Sequence, residues 1–596
     1  MKFIEVAKAF NEIEKESSRL KITHLLADIL KKATPNEAAT ISYLSLGALN
    51  PTYVGTQFNF AEKGMIKVLA KFLGKSESTI KSQSTTLGDL GSVIEKAEDE
   101  FEEDSILSVT KVNKELHDFL SISGTGSQEV KEKKLLELLK ELDTLSAKYV
   151  VRVILGKLRL GFSDMTLLDA FSWMEVGDKS IRKDLEEAYN VCVDIGLIIE
   201  TLKEKGLAGI KKMNITPGIP VRPAAAERMS DAKAIVKKLG DCTAQPKLDG
   251  FRLQVHIDNT KSRPEIHFFS RNLQDMSQMF PELKKAVLDL NVETLIAEGE
   301  AISYDVHTGT FLPFQETVKR KRKYDIEKTA KDFPLKLYLF NVLYLNGKSL
   351  LDETQDERYK ILQSLFKSEK AKNQDVIFPI EEVKINSAKE LEDYFKENIS
   401  SGLEGVVVKK PDSTYKAGKR NFNWVKLKRE ESGELKDTID CVILGYYTGR
   451  GKRASFGIGA LLVGIYNKNH DSFQTVAKIG TGLTDEEWKE VKKKCDKIKV
   501  VNRPKNVECE KELYPDVWAS PEIVCMVRAD EITFSPLHQA GATSEHLGMA
   551  LRFPRFMGYR PDKSADEATT AKELEHLCDL QYEDKKHKAK GKKKKK

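Results

Sequence analysis

Two periodicities divide the chain. Up to about residue 215 the apolar positions recur at helical spacing. Leu135, Leu138, Leu139, Leu142 and Leu145 follow the i, i+3, i+4, i+7 pattern and predict one buried helix face. A second apolar segment, Ala147 to Leu155, ends at Gly156. Gly161-Phe162-Ser163-Asp164 follows, with Ser163 or Asp164 placed to cap a helix through Leu167, Leu168 and Phe171. The Pro-rich stretch Ile215-Thr216-Pro217-Gly218-Ile219-Pro220-Val221-Arg222-Pro223 then breaks the helical pattern and predicts a domain boundary.

Beyond it the period drops to two. Phe251, Leu253, Val255 and Ile257 alternate with Arg252, Gln254, His256 and Asp258, the signature of a strand with one apolar and one polar face. Further strands are predicted over 266–270, 295–303, 335–345, 405–409 and 423–428, with helical segments between them. This is an α+β region built on antiparallel sheet. From about Asp437 the runs 441–447, 460–466 and 473–479 predict another β domain.

Composition changes this picture little. The chain has 596 residues, 40% hydrophobic and 32% charged, too many for one core and ordinary for a soluble protein. No apolar run approaches the roughly 18–20 residues of a membrane span, and the opening MKFIEVAKAFNEIEKESS lacks a signal peptide's apolar core. The seven cysteines form no C-x-x-C pair and no cluster with zinc spacing, which predicts reduced, mostly buried thiols in an intracellular protein. Charge is unevenly distributed along the chain. The net +6 is more than accounted for by nine lysines among Lys585–Lys596, which leaves the remainder at −3. The tail is expected to be disordered, either as a sequence-blind attractor of phosphates or as a solubilising extension.

The candidate chemistry lies in an ordered set of short motifs. Lys247-Leu248-Asp249-Gly250-Phe251-Arg252 comes first; alone it is equally compatible with a surface hairpin. Then come Ser270-Arg271-Asn272, Glu298-Gly299-Glu300, Phe340, Glu404-Gly405-Val406-Val407-Val408-Lys409 and Trp424-Val425-Lys426-Leu427-Lys428. Leu551-Arg552-Phe553-Pro554-Arg555-Phe556 and Arg560-Pro561-Asp562-Lys563 close the series.

This series resembles the covalent nucleotidyltransferase superfamily and, within it, the ATP-dependent DNA ligases of archaeal and eukaryotic replicative type. The resemblance spans nearly the whole chain. It implies an all-α N-terminal DNA-binding domain (1–217), an α+β antiparallel-sheet nucleotidyltransferase domain (218–435), a β-barrel OB-fold C-terminal domain (436–580) and the Lys-rich tail (581–596). The implied function is sealing of nicks in duplex DNA, with ATP and Mg²⁺, during replication, repair and recombination. It implies Lys247 as the nucleophile that takes AMP. An ordinary lysine is protonated near neutral pH, so nearby cations and desolvation are expected to lower its pKa. Lys426 and Lys428, two apart on a strand, project from one face, and Arg252 can point into the same pocket.

By resemblance, Phe340 stacks on adenine, Arg271 and Glu300 hold the ribose side, and Arg420 and Lys426 reach the phosphates. Glu300 and Glu404 are the expected Mg²⁺-side carboxylates. Gln245 stands where most relatives place a glutamate beside the base, so adenine selectivity is expected to be less strict. Asn341 stands where relatives have aspartate.

Arg159 and Gly161, before a capped helix, and the basic loop containing Arg450, Lys452 and Arg453 are expected on DNA phosphates. For Gly161 the alternative is an ordinary helix–helix turn. Arg555 and Lys563 are expected to act on pyrophosphate, which requires the C-terminal domain to close over ATP about a hinge near Lys436-Asp437. Gly558 replaces a basic residue common in relatives. The expected partners are nicked double-stranded DNA and a ring-shaped sliding clamp. Gln57-Phe58-Asn59-Phe60 is the run nearest to a clamp-docking motif and equally readable as core. A monomer, cytoplasmic or nuclear according to its source, is expected. The competing readings are an RNA ligase, a capping-type nucleotidyltransferase and a catalytically inert clamp.

Overall fold

The computed structural model describes the chain apart from residues 17, 88, 98–104, 157, 159, 161, 230, 313–315, 318, 321–324, 373–374, 429–437, 450–455 and 591–596. The side chains of 85, 86, 228, 370, 372, 420, 580 and 582–590 are likewise outside the description. Arg159, Gly161, Arg450, Lys452, Arg453 and the expected hinge at Lys436-Asp437 therefore lie outside the described residues, as does the side chain of Arg420. The chain forms two compact units, Met1–Arg429 and Glu430–Lys596. Among the described residues no helix is long and apolar enough to cross a membrane.

The first unit opens with helices from Phe3–Lys15 to Ile195–Lys211 around one apolar core. The leucine series does not form one helix. Its first part lies in Ser127–Lys140, and Asp143 then starts a new helix, Thr144–Ile154. The Asp143 carboxylate accepts hydrogen bonds from Ser146 N (2.8 Å) and Ser146 Oγ (2.6 Å), a cap that contributes about 1 kcal/mol and favours the break. Leu142 is buried in the connection itself. The helix Asp164–Val176 forms as expected, but its N-cap Ser163 makes no side-chain capping bond. Asp164 instead accepts from Met165 N (3.0 Å) and from Tyr189 Oη (2.8 Å). Phe58 and Phe60 are core, packed on Phe119 with ring centroids 5.9 and 5.4 Å away, so the run nearest a clamp-docking motif does not present its aromatics to a partner.

Two sheets follow. We label the strands used below β1 (Cys242–Lys247), β2 (Phe251–Asp258), β3 (Thr294–Ser303), β4 (Leu335–Leu345), β5 (Gly405–Lys409) and β6 (Arg420–Lys428). In one sheet β5 lies between β1 and β6, antiparallel to both. In the other, β3 lies between β2 and β4, again antiparallel. Short parallel pairings, Ala225–Arg228 with β6 and Ile377–Pro379 with β4, extend the two sheets.

Alternation decides what each face meets. Ala244, Val406, Val408, Val425 and Leu427 bury one face of the first sheet against Ile235, Leu239 and Leu391 of two covering helices. Phe251, Leu253, Val255 and Ile257 bury one face of the second against Phe268, Phe280 and Leu283. The polar face of β2 is also buried, because the Pro-rich linker docks on it. Val221 N donates to Gln254 Oε1 (2.8 Å), Gln254 Nε2 donates to Val221 O (3.1 Å), and Gly218 N donates to His256 Nδ1 (3.0 Å). Burial pushes the His256 pKa down to about 3, which keeps the ring neutral and able to accept that bond.

The second unit is sheet-rich. Its strand Ile439–Tyr447 pairs antiparallel with Ala460–Asn467, Val517–Ala519 and Val524–Arg528. Helix Asp485–Lys497 contributes Trp488, Val491 and Cys495 to the core. The last helix, Ala571–Lys590, runs into the segment expected to be a disordered tail. Gln581 is buried there, donating to Ile532 O (3.0 Å) and accepting from Ile532 N (2.8 Å), so ordered chain extends past residue 580. All seven cysteines are buried and free.

Candidate active site

The inner face of the first sheet carries three rows. Lys247, Gly405 and Lys428 lie side by side on β1, β5 and β6; Gln245, Val407 and Lys426 form the next row, and Thr243, Lys409 and Trp424 the third. The two-residue period puts these side chains on the face opposite the apolar one. Gly405, with φ 149°, allows no substitute, because a Cβ there would stand 2.2 Å from Leu427 O. With no side chain between them, Lys247 and Lys428 share a single carboxylate. Lys247 Nζ pairs with Glu404 Oε2, and Lys428 Nζ with Glu404 Oε1. Burial pushes the Glu404 carboxyl up, but the two ammonium groups more than offset it and hold it below the ordinary glutamate value. The nucleophile candidate was expected among cations; its nearest charged partner is this anion.

The turn after Lys247 carries the chain from one sheet to the other. Gly250 is required here by space alone, since a Cβ would lie 2.2 Å from Ala301 O. Arg252 follows on β2, opposite Glu300 on β3. Its guanidinium donates to Glu298 Oε1 (2.6 Å) and to Ala224 O (3.0 Å), and its charge lies 5.3 Å from the Phe340 ring centroid. Glu298 is fully buried and also accepts from Tyr415 Oη (3.0 Å). Burial raises the pKa of Glu300 to about 7; Lys247 and Arg252 oppose the rise, and Glu404 and Asp249 add to it. Phe340, on β4, is partly exposed beside Trp424, their rings 6.2 Å apart edge to face. Lys409 Nζ donates to Phe340 O (3.0 Å) from beneath, and burial draws its pKa down to about 7.

Gln245 Nε2 donates to Glu382 Oε2 (2.7 Å). Lys426 lies on the same face as Gln245 and Lys428, as its spacing predicts. Arg271 is exposed at the end of the strand Glu265–Ser270. The structure thus brings Lys247, Gln245, Arg252, Glu300, Phe340, Glu404, Lys426 and Lys428 onto two adjoining sheets.

In the second unit, Arg555 donates to Asp530 Oδ1 (3.3 Å). Lys563 and Arg560 converge on Asp440 Oδ2, at 2.8 and 2.9 Å. Gly558 has φ 142° where the pairing with Val524–Arg528 shifts register, a backbone reason for glycine at this position.

Three family models match this chain in order: DNA ligase N terminus over residues 2–172, ATP dependent DNA ligase domain over 223–428, and ATP dependent DNA ligase C terminal region over 454–563. A probable DNA ligase of Dictyoglomus turgidum is 43% identical over 577 residues, 96% of this chain and 97% of the relative. The DNA ligase of Sulfolobus acidocaldarius is 36% identical over 592 residues, with 96% and 97% covered. The chain belongs to the ATP-dependent DNA ligases. Among solved structures, Pmar-Lig_PreS3 shares the fold at 18% identity, with a TM-score of 0.52 over 93% of this chain and 99% of that one.

The site of this ligase contains groups to which the sequence motifs assign no role. Glu298 stands two residues before Glu300 on the same strand face, and that spacing was a usable signal. Asn341 accepts from Arg358 Nε (3.0 Å) and donates to Glu298 Oε2 (3.5 Å). An amide can do both and an ionised aspartate cannot, which accounts for asparagine at this position. Arg358, fully buried 17 residues further on, had no local signal.

Proposed function

We propose that this ligase seals nicks in duplex DNA by three phosphoryl transfers. Lys247 Nζ attacks the α-phosphorus of ATP and pyrophosphate leaves, giving a phosphoramidate to AMP. The nick's 5′-phosphate oxygen then attacks that phosphorus and Lys247 departs. Finally the 3′-hydroxyl attacks the 5′-phosphate and AMP leaves. The observation that carries this reading is the pairing of Lys247 and Lys428 with Glu404 on one sheet, adjoining the Arg252–Glu300–Phe340 group on the other.

In this scheme Phe340 stacks on the base, Gln245 meets its edge, and Arg271 and Glu300 hold the ribose side. Arg252, Arg420, Lys426 and Lys428 neutralise phosphate charge. Glu404 and Glu300 would hold Mg²⁺. Among the described residues no cluster of three or more His, Cys, Asp or Glu could hold a metal. Two carboxylates nevertheless suit an ion that takes its remaining ligands from water and substrate phosphates. When bound, Mg²⁺ would supply charge stabilisation at the phosphates.

The proposed domains are a helical DNA-binding domain over 1–217, an adenylation domain over 218–435 and an OB-fold over 436–580. The antiparallel pairing of Ile439–Tyr447 with several partners supports an OB-fold. Arg159, Gly161, Arg450, Lys452 and Arg453 would grip DNA phosphates. Arg555 and Lys563 would reach pyrophosphate when the last domain closes. Sealing assays with nicked DNA and nicked RNA, each with ATP and GTP, test this reading. The expected result is sealing of DNA with ATP; sealing of RNA alone contradicts it.

A further inference from the structure

On the proposed function, Gln245 meets the edge of the base, and its amide offers a donor and an acceptor at interchangeable ends. We infer that Glu382 is a positioning residue for nucleotide specificity: it engages the Gln245 amide nitrogen and so presents the amide oxygen to the base.

Glu382 immediately precedes the short strand Val383–Ile385, which pairs with β1 so that Val383 faces Ala244. This register sets Glu382 beside Gln245, and the amide nitrogen donates to Glu382 Oε2 at 2.7 Å. The amide end that meets Glu382 is thus the nitrogen, its only donor. Gln355 Nε2 donates to the same oxygen at 3.4 Å, so Glu382 is held as an acceptor from two sides. Burial raises the Glu382 carboxyl, and Lys409, one row away on the same sheet face, and the bond from Gln245 act against that rise. With its nitrogen occupied, Gln245 offers its oxygen on the face that carries Lys247 and Lys426. An oxygen acceptor matches the exocyclic amine of adenine and repels the exocyclic oxygen of guanine. The acidic group of the base-reading site has thus moved from β1 to the neighbouring segment, with Gln245 as the intermediary.

The discriminating variant is Glu382→Gln. Its side chain can satisfy Gln245 in either orientation, so the amide oxygen is no longer fixed. Covalent nucleotide on Lys247 is measured with labelled ATP and GTP, alongside sealing of pre-adenylated nicks. The expected result is a roughly tenfold rise in the KM for ATP in self-adenylation, with kcat little changed, and a matching loss of preference over GTP. Sealing of pre-adenylated nicks stays at the wild-type rate. The exchange variant Gln245→Glu/Glu382→Gln restores a carboxylate acceptor held by an amide donor, and recovers the preference for ATP. An unchanged ATP-to-GTP ratio in Glu382→Gln overturns the inference, as does loss of sealing on pre-adenylated nicks or failure of the exchange variant to recover the preference. Absence of any covalent nucleotide in the wild-type protein would instead overturn the proposed function itself.

Discussion

Glu404 carries the charge of two lysines at once, while Glu298 holds Arg252 and Tyr415 from a fully buried position. Removing a partner from a buried ion pair leaves an uncompensated charge. Glu298→Ala should therefore cost about 3–5 kcal/mol, read from the denaturant midpoint; a midpoint equal to wild type contradicts this. Glu300 makes a second prediction. Its folded pKa of about 7 exceeds the ordinary glutamate value of roughly 4.3. Between those values the folded ligand-free protein binds more protons than the unfolded chain, so stability falls as pH rises through that window. Glu300→Gln should flatten the fall, and an unchanged pH slope refutes the assignment. The candidates Lys247, Glu300, Phe340, Glu404 and Lys428 were legible because their motifs are short and local. Glu298 was half-visible through its spacing. Glu382 and Arg358 were not, since their roles depend on register between segments far apart in sequence.

At the scale of elements, the crossing from β1 to β2 governs the site, because it delivers Lys247 to one sheet and Arg252 to the other within six residues. Gly250→Ala places a Cβ against a backbone carbonyl that cannot rotate away. It should destabilise the protein by about 1–3 kcal/mol and abolish covalent AMP; normal stability and labelling would contradict this close approach. The strands themselves were readable from their period of two, and β4 and β5 match their expected spans end to end. The leucine series was not, because helical spacing continued across a break that Asp143 caps. The burial of the polar face of β2 has no local signal either: nothing in the strand announces that a distant linker will cover Gln254 and His256.

At the scale of the molecule, the Pro-rich stretch separates helices from sheets in sequence without separating them into units. Arg222 N donates to Asn190 O (2.8 Å), Gly418 N donates to Arg222 O (2.9 Å), and Lys419 pairs with Glu187 at 3.4 Å, tying the sheets to the last helices. Such long-range docking has no signature in composition or period. The net charge was equally uninformative, since it resides in the terminal lysines. The proposed ligation begins with one covalent bond, from Lys247 to AMP, and labelled ATP tests it directly. The purified protein incubated with α-labelled ATP and Mg²⁺ should acquire one acid-labile AMP, and Lys247→Ala should abolish the label while remaining folded. Retention of the label in Lys247→Ala would contradict the account.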